Sequence, residues 1–267
     1  MFIKFAKYLI YFLKIFFSKF GIHIEIARIY KNSDHVLIDK AKWEPFLEKN
    51  KNFELYKKSL LAVGGYQSDN IYKQLRYYNL IQYIRYILKT NPKGTFVECG
   101  VWKGHSAHIT ASLISEYNSS NKLYLFDSFK GLSKRDVEDS SRIKMSKDEI
   151  KLEAEKFAFS EDLVRNNLKD FNFISYFKGW IPDRFNEVSD EKFCFVHIDV
   201  DLYQPILDSL NFFSERLDEG GYIFLDDYGD SYFMGAKKAL EEFNPSAKGF
   251  TFFELPLGGA YLQKKSE

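Results

Sequence analysis

The amino-acid sequence predicts an α/β fold built on a doubly wound, mostly parallel sheet of seven strands, and three observations support this. From residue 95 onward, short apolar runs typical of buried strands alternate with amphipathic helical patterns. Two consecutive strand patterns end in aspartates, which places acidic side chains together if the strands are parallel. The final two strand patterns are joined by a connection that is too short for a crossover.

Residues 1–68 are predicted to form an N-terminal extension, and residues 69–267 the domain that carries the sheet. The first 20 residues are almost wholly apolar or aromatic apart from Lys4, Lys7, Lys14, Ser18 and Lys19. The lysines leave no run near the roughly 20 apolar residues that a spanning helix needs. A helix here would have a basic stripe opposite an aromatic face. Such a helix suits peripheral contact with an anionic membrane, or packing on the domain or on a second subunit of a homodimer.

The segment before the first strand is predicted to end in a long helix. Residues 21–68 have poor periodicity, so we expect loops and short helices there, with a break at Gly64-Gly65. Asp69–Lys89 carries apolar residues at helical spacing and has Ser68 and Asp69 as potential caps. We expect this helix to pack beside the first strand.

The domain then alternates between strands and helices, which implies right-handed crossovers in a parallel sheet. Strands are predicted at Thr95–Cys99, Lys122–Phe126, Phe173–Phe177, Phe193–Ile198 and Tyr222–Leu225. Helices are predicted after the first strand through Ile114, near Lys147–Phe159, near Glu161–Lys169, at Tyr203–Leu217 and at Tyr232–Phe243. We expect Gly220-Gly221 to stop the helix that begins at Tyr203.

The sequence LPLGG joins the last two strand patterns, Thr251–Glu254 and Ala260–Gln263. So short a connection can make only an antiparallel pair. A parallel sheet that ends in an antiparallel hairpin strand is typical of the class I methyltransferase (Rossmann-like) fold. A dinucleotide dehydrogenase would more often continue with another crossover.

Aspartates follow the fourth and fifth strands at the edge where open α/β sheets bind ligands. Asp199 and Asp201 come just after His197, and Asp226-Asp227 ends the next strand. Closely packed carboxylates repel one another, so they are tolerated mainly where a hard cation or a proton neutralises them. Asp199, Asp226 and Asp227 are a plausible oxygen set for Mg²⁺ or Mn²⁺. The alternative is that each aspartate is an ordinary cap or turn residue.

A glycine turn after the first strand predicts a nucleotide-binding site. Gly100 and Gly104 would let backbone N–H groups approach a ligand, although a tight turn can also be purely structural. Glu98 would repel a pyrophosphate and attract an ammonium group, which favours S-adenosylmethionine (SAM) over NAD. Asp127 ends the next strand, where a carboxylate either accepts the ribose hydroxyls or caps a helix. The predicted cofactor-binding residues are Glu98, Gly100, Gly104, Ser106, Asp127, Ser128, Gly179 and Trp180.

Composition limits the class of partner. The formal net charge is +1, so nothing indicates nucleic-acid binding. Cys99 and Cys194 fall in predicted buried strands, which fits apolar fillers in a reducing compartment and neither a disulfide framework nor a zinc site. Trp180 follows the third strand and could cover an adenine base, although a large aromatic residue is more often part of the core. We therefore expect a cytoplasmic protein, with membrane contact on the inner face if residues 1–20 bind lipid.

These motifs resemble the macrocin O-methyltransferase family, the TylF-like SAM-dependent enzymes that methylate sugar hydroxyls of natural products. The resemblance rests on ECGVWKGHS, LFDSFKGL, KGWIPD, HIDVDLYQPILDSL, LDEGGYIFLDDYG and GAKKALEEF, in family order, and covers roughly residues 70 to 265. It implies SAM as methyl donor and a divalent cation, usually Mg²⁺, held by Asp199, Asp226 and Asp227.

The resemblance also bears on the catalytic base. Asp201 matches the position proposed as general base in some relatives, and we expect it to face the same pocket as Asp199 because it lies two residues further along. His197 is an alternative base, although a buried strand histidine is more often structural. His105 and His108, on the helix after the glycine turn, are further candidates.

Two departures from the antibiotic-tailoring members of that family leave the identity of the acceptor undetermined. They are the lysine-rich aromatic N-terminus and the segment Lys130–Lys147, which in the family lies near the acceptor. We expect a sugar or glycan-type acceptor, such as a bacterial surface saccharide or lipid-linked sugar. The alternatives are a catechol or other phenol, which the same cation would chelate, and a non-catalytic SAM-binding scaffold.

Overall fold

The computed structural model describes residues 12–13, 15–17, 19–20, 51–65, 69–90, 92–139, 146–229, 233–256 and 258–266. The chain divides into two compact units, Met1–Pro45 and Phe46–Glu267. The second unit contains every strand of the sheet and begins before helix Lys51–Ala62. The predicted boundary between residues 68 and 69 stays a prediction.

The sheet has seven strands in the order β3-β2-β1-β4-β5-β7-β6. Its strands are β1 (Thr95–Cys99), β2 (Leu123–Asp127), β3 (Ile174–Lys178), β4 (Phe193–Ile198), β5 (Leu217–Leu225), β6 (Phe250–Glu254) and β7 (Ala260–Lys264). The first five pair in parallel, and β7 lies antiparallel to both β5 and β6. This confirms the predicted mostly parallel, doubly wound sheet and its antiparallel hairpin.

Seven α-helices of the second unit cover the sheet within the described residues. They are α1 (Lys51–Ala62), α2 (Ile71–Lys89), α3 (His105–Glu116), α4 (Lys147–Lys156), α5 (Glu161–Asn167), α6 (Tyr203–Arg216) and α7 (Gly235–Phe243), with a 3₁₀ turn at Phe185–Val188. Helix α2 is capped by the side chain of Asn70, which accepts the Lys73 backbone N–H at 2.9 Å. The predicted cap Ser68 lies outside the described residues, as does the predicted helix start Tyr232.

Apolar side chains pack on both faces of the sheet, as double winding requires. On one face, Phe96, Phe195 and Phe224 pack with apolar residues of α1, α2 and α3. On the other face, Val97, Val196 and Ile223 pack with α6 and α7. Cys99 and Cys194 are both buried and unpaired with each other, as predicted. Alternate residues of one strand therefore serve opposite layers, since side chains alternate across a strand.

The connection between α6 and β5 differs from the prediction. Helix α6 ends at Arg216, and β5 begins at the next residue, Leu217, which pairs with Phe193. The register between β4 and β5 shifts after that pair, and Gly220, in the left-handed region at φ 71°, lies inside the strand segment. Gly220-Gly221 therefore does not stop the helix. The glycines instead accommodate an irregularity in the strand.

In the first unit, the described residues between 12 and 17 are helical. The Phe12 and Phe16 rings are stacked with centroids 6.5 Å apart, and Phe16 lies 5.3 Å from Phe20. Lys4, Lys7 and Lys14, which form most of the predicted basic stripe, lie outside the described residues. Within the part of the chain that the structure describes, no helix is long and apolar enough to cross a membrane.

Candidate active site

A cavity of about 700 Å³ opens at the carboxyl ends of the parallel strands. Its wall combines the ends of β1, β2, β4 and β5 with the first turns of α2 and the segment after β3. The predicted site residues in this wall are Gly100, Asp127, Ser128, Gly179, Trp180, Asp199, Asp201, Asp226 and Asp227. Members of both predicted groups, the one for a cofactor and the one for a cation, therefore share one cavity.

Asp199, Asp226 and Asp227 form the acidic cluster of this cavity. Each offers a carboxylate oxygen, and these oxygens all lie within 4.8 Å of one another. The sheet positions them because its hydrogen bonding continues past the strand ends. Asp199 N donates to Cys99 O at 2.8 Å, and Asp226 N donates to Ile198 O at 3.0 Å. The backbone therefore fixes two of the three carboxylates relative to each other.

The carboxylates of this cluster repel one another although Arg76 pairs with Asp226. Burial, together with repulsion from Asp226, raises the pKa of Asp199 to about 7. Burial and repulsion from Asp201, Asp199 and Asp226 raise the pKa of Asp227 well above its usual range. Three carboxylate oxygens this close together are stabilised by added positive charge. Hard divalent cations prefer such oxygen donors.

Asp201 also faces the cavity, but for a reason other than strand alternation. Strand β4 ends at Ile198, and Asp201 has left-handed backbone angles with φ 59°. Its backbone N–H donates to Asp227 Oδ2 at 3.0 Å, which holds the turn against the acidic cluster. Aspartate is one of the few side chains that tolerates this conformation. The prediction that Asp201 shares a pocket with Asp199 is confirmed, with a tight turn as its cause.

The glycine turn after β1 is packed too closely for a side chain. Gly100 has φ 85°, and a Cβ there would overlap the backbone oxygen of Asp199 and lie 2.7 Å from its carbonyl carbon. Gly104, at φ 84°, occupies the cap position of α3 without a side-chain cap. The turn after β1 is therefore packed directly against the segment after β4, which only a glycine at position 100 allows.

Asp127 supports this turn from the end of β2. Its Oδ2 accepts the backbone N–H groups of Val101 at 2.6 Å and Trp102 at 3.2 Å, and its Oδ1 accepts Phe129 N–H at 2.6 Å. Burial raises the pKa of Asp127 and these hydrogen bonds oppose that rise. The carboxylate lines the cavity while it organises the turn, and its predicted role towards ribose hydroxyls stays a prediction.

Glu98, Ser106 and His197 lie beneath the cavity and are not part of its lining. Ser106 Oγ donates to Glu98 Oε1 at 2.7 Å, and His197 Nδ1 is 3.9 Å from Glu98 Oε2. Neither His197 ring nitrogen has a hydrogen-bond partner among the described residues. Burial lowers the pKa of His197, but Glu98, Asp199 and Asp226 outweigh it, so the net shift is upward.

His105 and His108, the remaining candidate bases, face away from the cavity. His105 Nε2 lies 3.2 Å from Tyr56 O, and His108 Nδ1 lies 2.9 Å from Ser59 Oγ, both on α1. Burial is the main cause that lowers the pKa of both histidines, to about 3 for His105. These contacts join α3 to α1, so both side chains serve packing.

Trp180 and Gly179 form the wall beyond β3. Trp180 is 37% exposed, which excludes a core position, and Gly179 N donates to Asp127 O at 3.0 Å. Ser128 Oγ donates to Gly131 O at 3.2 Å and accepts Lys130 N–H at 3.1 Å. An aromatic ring therefore stands at the cavity opening beside the end of β2, where it is available for stacking.

Helix α2 contributes basic residues that the sequence reasoning missed. Lys73 and Arg76 lie one turn apart and both line the cavity. Arg76 Nη2 is 2.6 Å from Asp226 Oδ2, and the Lys73 ammonium lies 5.1 Å from the Trp102 ring centroid. A lysine and an arginine at helical spacing resemble any solvated helix face. Only the expectation that this helix packs beside β1 pointed towards them.

Comparison with known proteins adds a family match. The model of the family described as Macrocin-O-methyltransferase (TylF) matches residues 50–251, most of the chain. The matched range contains β1 to β5 and all residues of the acidic cluster.

Individual relatives are more distant. The demethyldecarbamoylnovobiocin O-methyltransferase of Streptomyces niveus is 25% identical over 155 residues, 56% of this chain and 58% of the relative. The 8-demethyl-8-(2,3-dimethoxy-alpha-L-rhamnosyl)-tetracenomycin-C 4'-O-methyltransferase of Streptomyces olivaceus is 24% identical over 163 residues, 56% of this chain and 59% of the relative. The match thus spans less than two thirds of these curated relatives.

Among solved structures, the O-methyltransferase NovP superimposes with a TM-score of 0.60 at 22% sequence identity. The alignment covers 70% of this chain and 78% of NovP. At this level of identity, the likeness establishes a shared class I fold.

Proposed function

Because the chain belongs to the macrocin O-methyltransferase (TylF) family, we propose that it transfers a methyl group from SAM to a hydroxyl group of a sugar or glycan-type acceptor, with the help of a divalent cation. One observation carries this proposal. The cluster of Asp199, Asp226 and Asp227 lies in the same cavity as the glycine turn at Gly100. This arrangement supports a cation site beside a cofactor site.

The cavity fits SAM on two grounds. Gly100 lines the cavity in the turn after β1 and brings no side chain into it, and Asp127 presents a carboxylate at the end of β2 where ribose hydroxyls are usually bound. Trp180 is placed to cover an adenine ring. When bound, SAM supplies the electrophilic methyl group. Glu98 is only 1% exposed, so its charge would act on the cofactor from beneath the cavity floor.

The acidic cluster fits a hard cation, since it presents three carboxylate oxygens within 4.8 Å of one another. Asp199, Asp226 and Asp227 would hold it. A bound Mg²⁺ or Mn²⁺ would lower the pKa of an acceptor hydroxyl that coordinates to it.

The proton of the acceptor hydroxyl needs a base, and we assign this role to Asp201. Its carboxylate lines the cavity next to the acidic cluster, and the bond from its own N–H to Asp227 fixes its position. His197 lies under the cavity floor and lacks this access. A positioned carboxylate that accepts the proton typically accelerates such a step by about 10²–10⁴-fold.

The relatives favour a sugar acceptor over a phenol. The name of the Streptomyces olivaceus relative describes a substrate that carries a rhamnosyl unit, and the family model that matches this chain is described as Macrocin-O-methyltransferase (TylF). Vicinal hydroxyls of a sugar and of a catechol would both suit the acidic cluster. An assay in which the two acceptors compete therefore tests the acceptor class.

The test is a methyl-transfer assay with SAM, a panel of vicinal-diol sugars and sugar nucleotides, and catechol as competitor. We expect methylated sugar as the main product, activity that EDTA removes and Mg²⁺ restores, and a loss of about a hundredfold or more in kcat for Asp201→Asn. Asparagine tolerates the left-handed backbone of this position, so the variant should fold. Preferential methylation of catechol would contradict the acceptor class, and EDTA-resistant turnover would contradict the cation.

A further inference from the structure

The Arg76 side chain reaches from α2 across the cavity edge to the acidic cluster. Its Nη2 lies 2.6 Å from Asp226 Oδ2, and the arginine and aspartate side chains are 30% and 6% exposed. This is the one ion pair of Arg76 among the described residues. The buried Nε atom has no hydrogen-bond partner within the described part of the chain. Among the described residues, Asp226 is thus the one acidic side chain in direct contact with the guanidinium, while Asp199 and Asp227 attract it from further away.

A divalent cation and this guanidinium would compete for the same place. Mg²⁺ bound to carboxylate oxygens lies about 2.0–2.1 Å from each of them. A cation shared by Asp199, Asp226 and Asp227 would therefore come within a few ångströms of the Arg76 charge, as the 2.6 Å ion pair dictates. Two positive charges that close repel strongly in a partly buried site.

The alternative is that Arg76 orients Asp226 while a cation binds the opposite oxygen. An arginine in that role usually donates hydrogen bonds to several acceptors, because its guanidinium group can otherwise rotate out of position. Arg76 lacks such a second anchor among the described residues, and its partial exposure leaves it a way into the cavity. These contacts therefore favour competition between Arg76 and the cation for Asp226.

We propose that Arg76 is a resident counter-charge of the acidic cluster, which a divalent cation must displace from Asp226. This inference rests on the cation site of the proposed function. Without a cation, Arg76 relieves the repulsion between the carboxylates, and its ion pair with Asp226 links α2 to the end of β5. When a cation binds, this ion pair is broken. Arg76 therefore lowers the affinity of the site for its cation and couples cation binding to α2.

Calorimetric titration of the purified protein with Mg²⁺ tests this directly. For Arg76→Gln we expect Mg²⁺ to bind at least about tenfold more tightly than in the wild type, because one competing charge-assisted contact is lost. Arg76→Lys should give an intermediate affinity. The rise in melting temperature on addition of Mg²⁺ should also be larger in Arg76→Gln than in the wild type, since tighter binding stabilises the folded state more.

The matched control is Arg85→Gln. Arg85 lies on the same helix and forms a 2.7 Å ion pair with Glu116, away from the cavity lining. This variant should bind Mg²⁺ as the wild type does. Equal or weaker Mg²⁺ binding by Arg76→Gln overturns the inference and assigns Arg76 to orienting Asp226. If Arg76→Gln does not fold, equal or weaker binding by Arg76→Lys overturns it in the same way.

The failure of the inference is distinct from that of the proposed function. Wild-type protein that binds Mg²⁺, beside a variant that binds it no better, contradicts only the role of Arg76. Wild-type protein that binds no Mg²⁺ contradicts the cation site itself, and the inference with it.

Discussion

The side chains around the cavity differ most in how each one's charge is balanced by its neighbours. Asp127 is satisfied by three backbone N–H groups, whereas Asp199 and Asp227 face other carboxylates and have raised pKa values, with burial the largest cause for each. Asp226 is neutralised by Arg76. The carboxylate of Asp127 is thus balanced by backbone groups, whereas those of Asp199 and Asp227 lie among other carboxylates.

His105 gives a prediction about pH that belongs to the single residue. It packs between the rings of Tyr56 and Tyr77, with centroids at 4.9 and 4.4 Å, and burial followed by repulsion from Lys73 lowers its pKa to about 3. An unfolded histidine titrates near pH 6.5. Between these two values the unfolded state binds more protons, so this group makes stability rise with pH and its contribution is lost as the pH falls below 6.5.

For His105→Gln we expect the free energy of unfolding to depend less on pH between 4 and 6.5, by up to about 1.4 kcal/mol per pH unit. Denaturant unfolding of both proteins at several pH values measures the slope. Above pH 7 the two slopes should agree, which serves as the internal control. Identical slopes below pH 6.5 would show that His105 is protonated in the folded protein.

At this scale the sequence predicted the acidic site well and its surroundings less well. Aspartates at the ends of neighbouring parallel strands must meet, so Asp199, Asp226 and Asp227 were found from spacing alone. Glu98 and His197 were predicted to act in the pocket. Because side chains alternate across a strand, both instead lie on the face of the sheet that packs against α1, α2 and α3. Arg76 gave no signal because its role depends on how a helix packs.

At the scale of elements, the turn between β1 and α3 is the part that the fold constrains most. It passes so close to the segment after β4 that Gly100 touches the Asp199 backbone. The same segment carries Asp199, the first residue of the acidic cluster. The glycine turn and the acidic cluster are therefore packed against each other.

Gly100→Ala tests this packing. Alanine at φ 85° meets both an unfavourable backbone conformation and the Asp199 carbonyl group, so we expect a loss of about 3 kcal/mol or more in unfolding free energy. Gly249→Ala is the matched control. Gly249 has φ 77° and nothing within 4 Å of an added Cβ, so this variant should lose only about 1 kcal/mol. Equal losses in denaturant unfolding would show that the close approach is absent.

Element boundaries show where local sequence reasoning ends. The strand patterns from Thr95 to Ile198 agree with the structure to within a residue because buried parallel strands are short apolar runs. The predicted helix end at Leu217 is within a residue of Arg216, but the predicted strand start at Tyr222 was wrong because Leu217 pairs with Phe193 of β4 directly after α6. That pairing is a long-range effect, and no pattern near Arg216 reveals it.

At the scale of the whole molecule, strand order brings every predicted site segment to one edge. The order β3-β2-β1-β4-β5 places β1 and β4 side by side at the centre, so the glycine turn and the acidic cluster are neighbours in space although nearly a hundred residues apart in sequence. A switch of strand order at this point is the usual place for a ligand in an open α/β sheet. Membrane contact by residues 1–20 and a homodimer stay predictions.

The central claim is that one cavity holds SAM and a divalent cation at separate positions. Calorimetric titration of the purified protein with SAM and then with Mg²⁺, before and after EDTA treatment, tests it most directly. We predict SAM binding in all samples, and a separate Mg²⁺ event that Asp227→Asn removes while its SAM affinity is retained. Asp208→Asn on α6, outside the cavity lining, should behave as the wild type. Absence of SAM binding under both conditions, or an unchanged Mg²⁺ event in Asp227→Asn, would contradict the account.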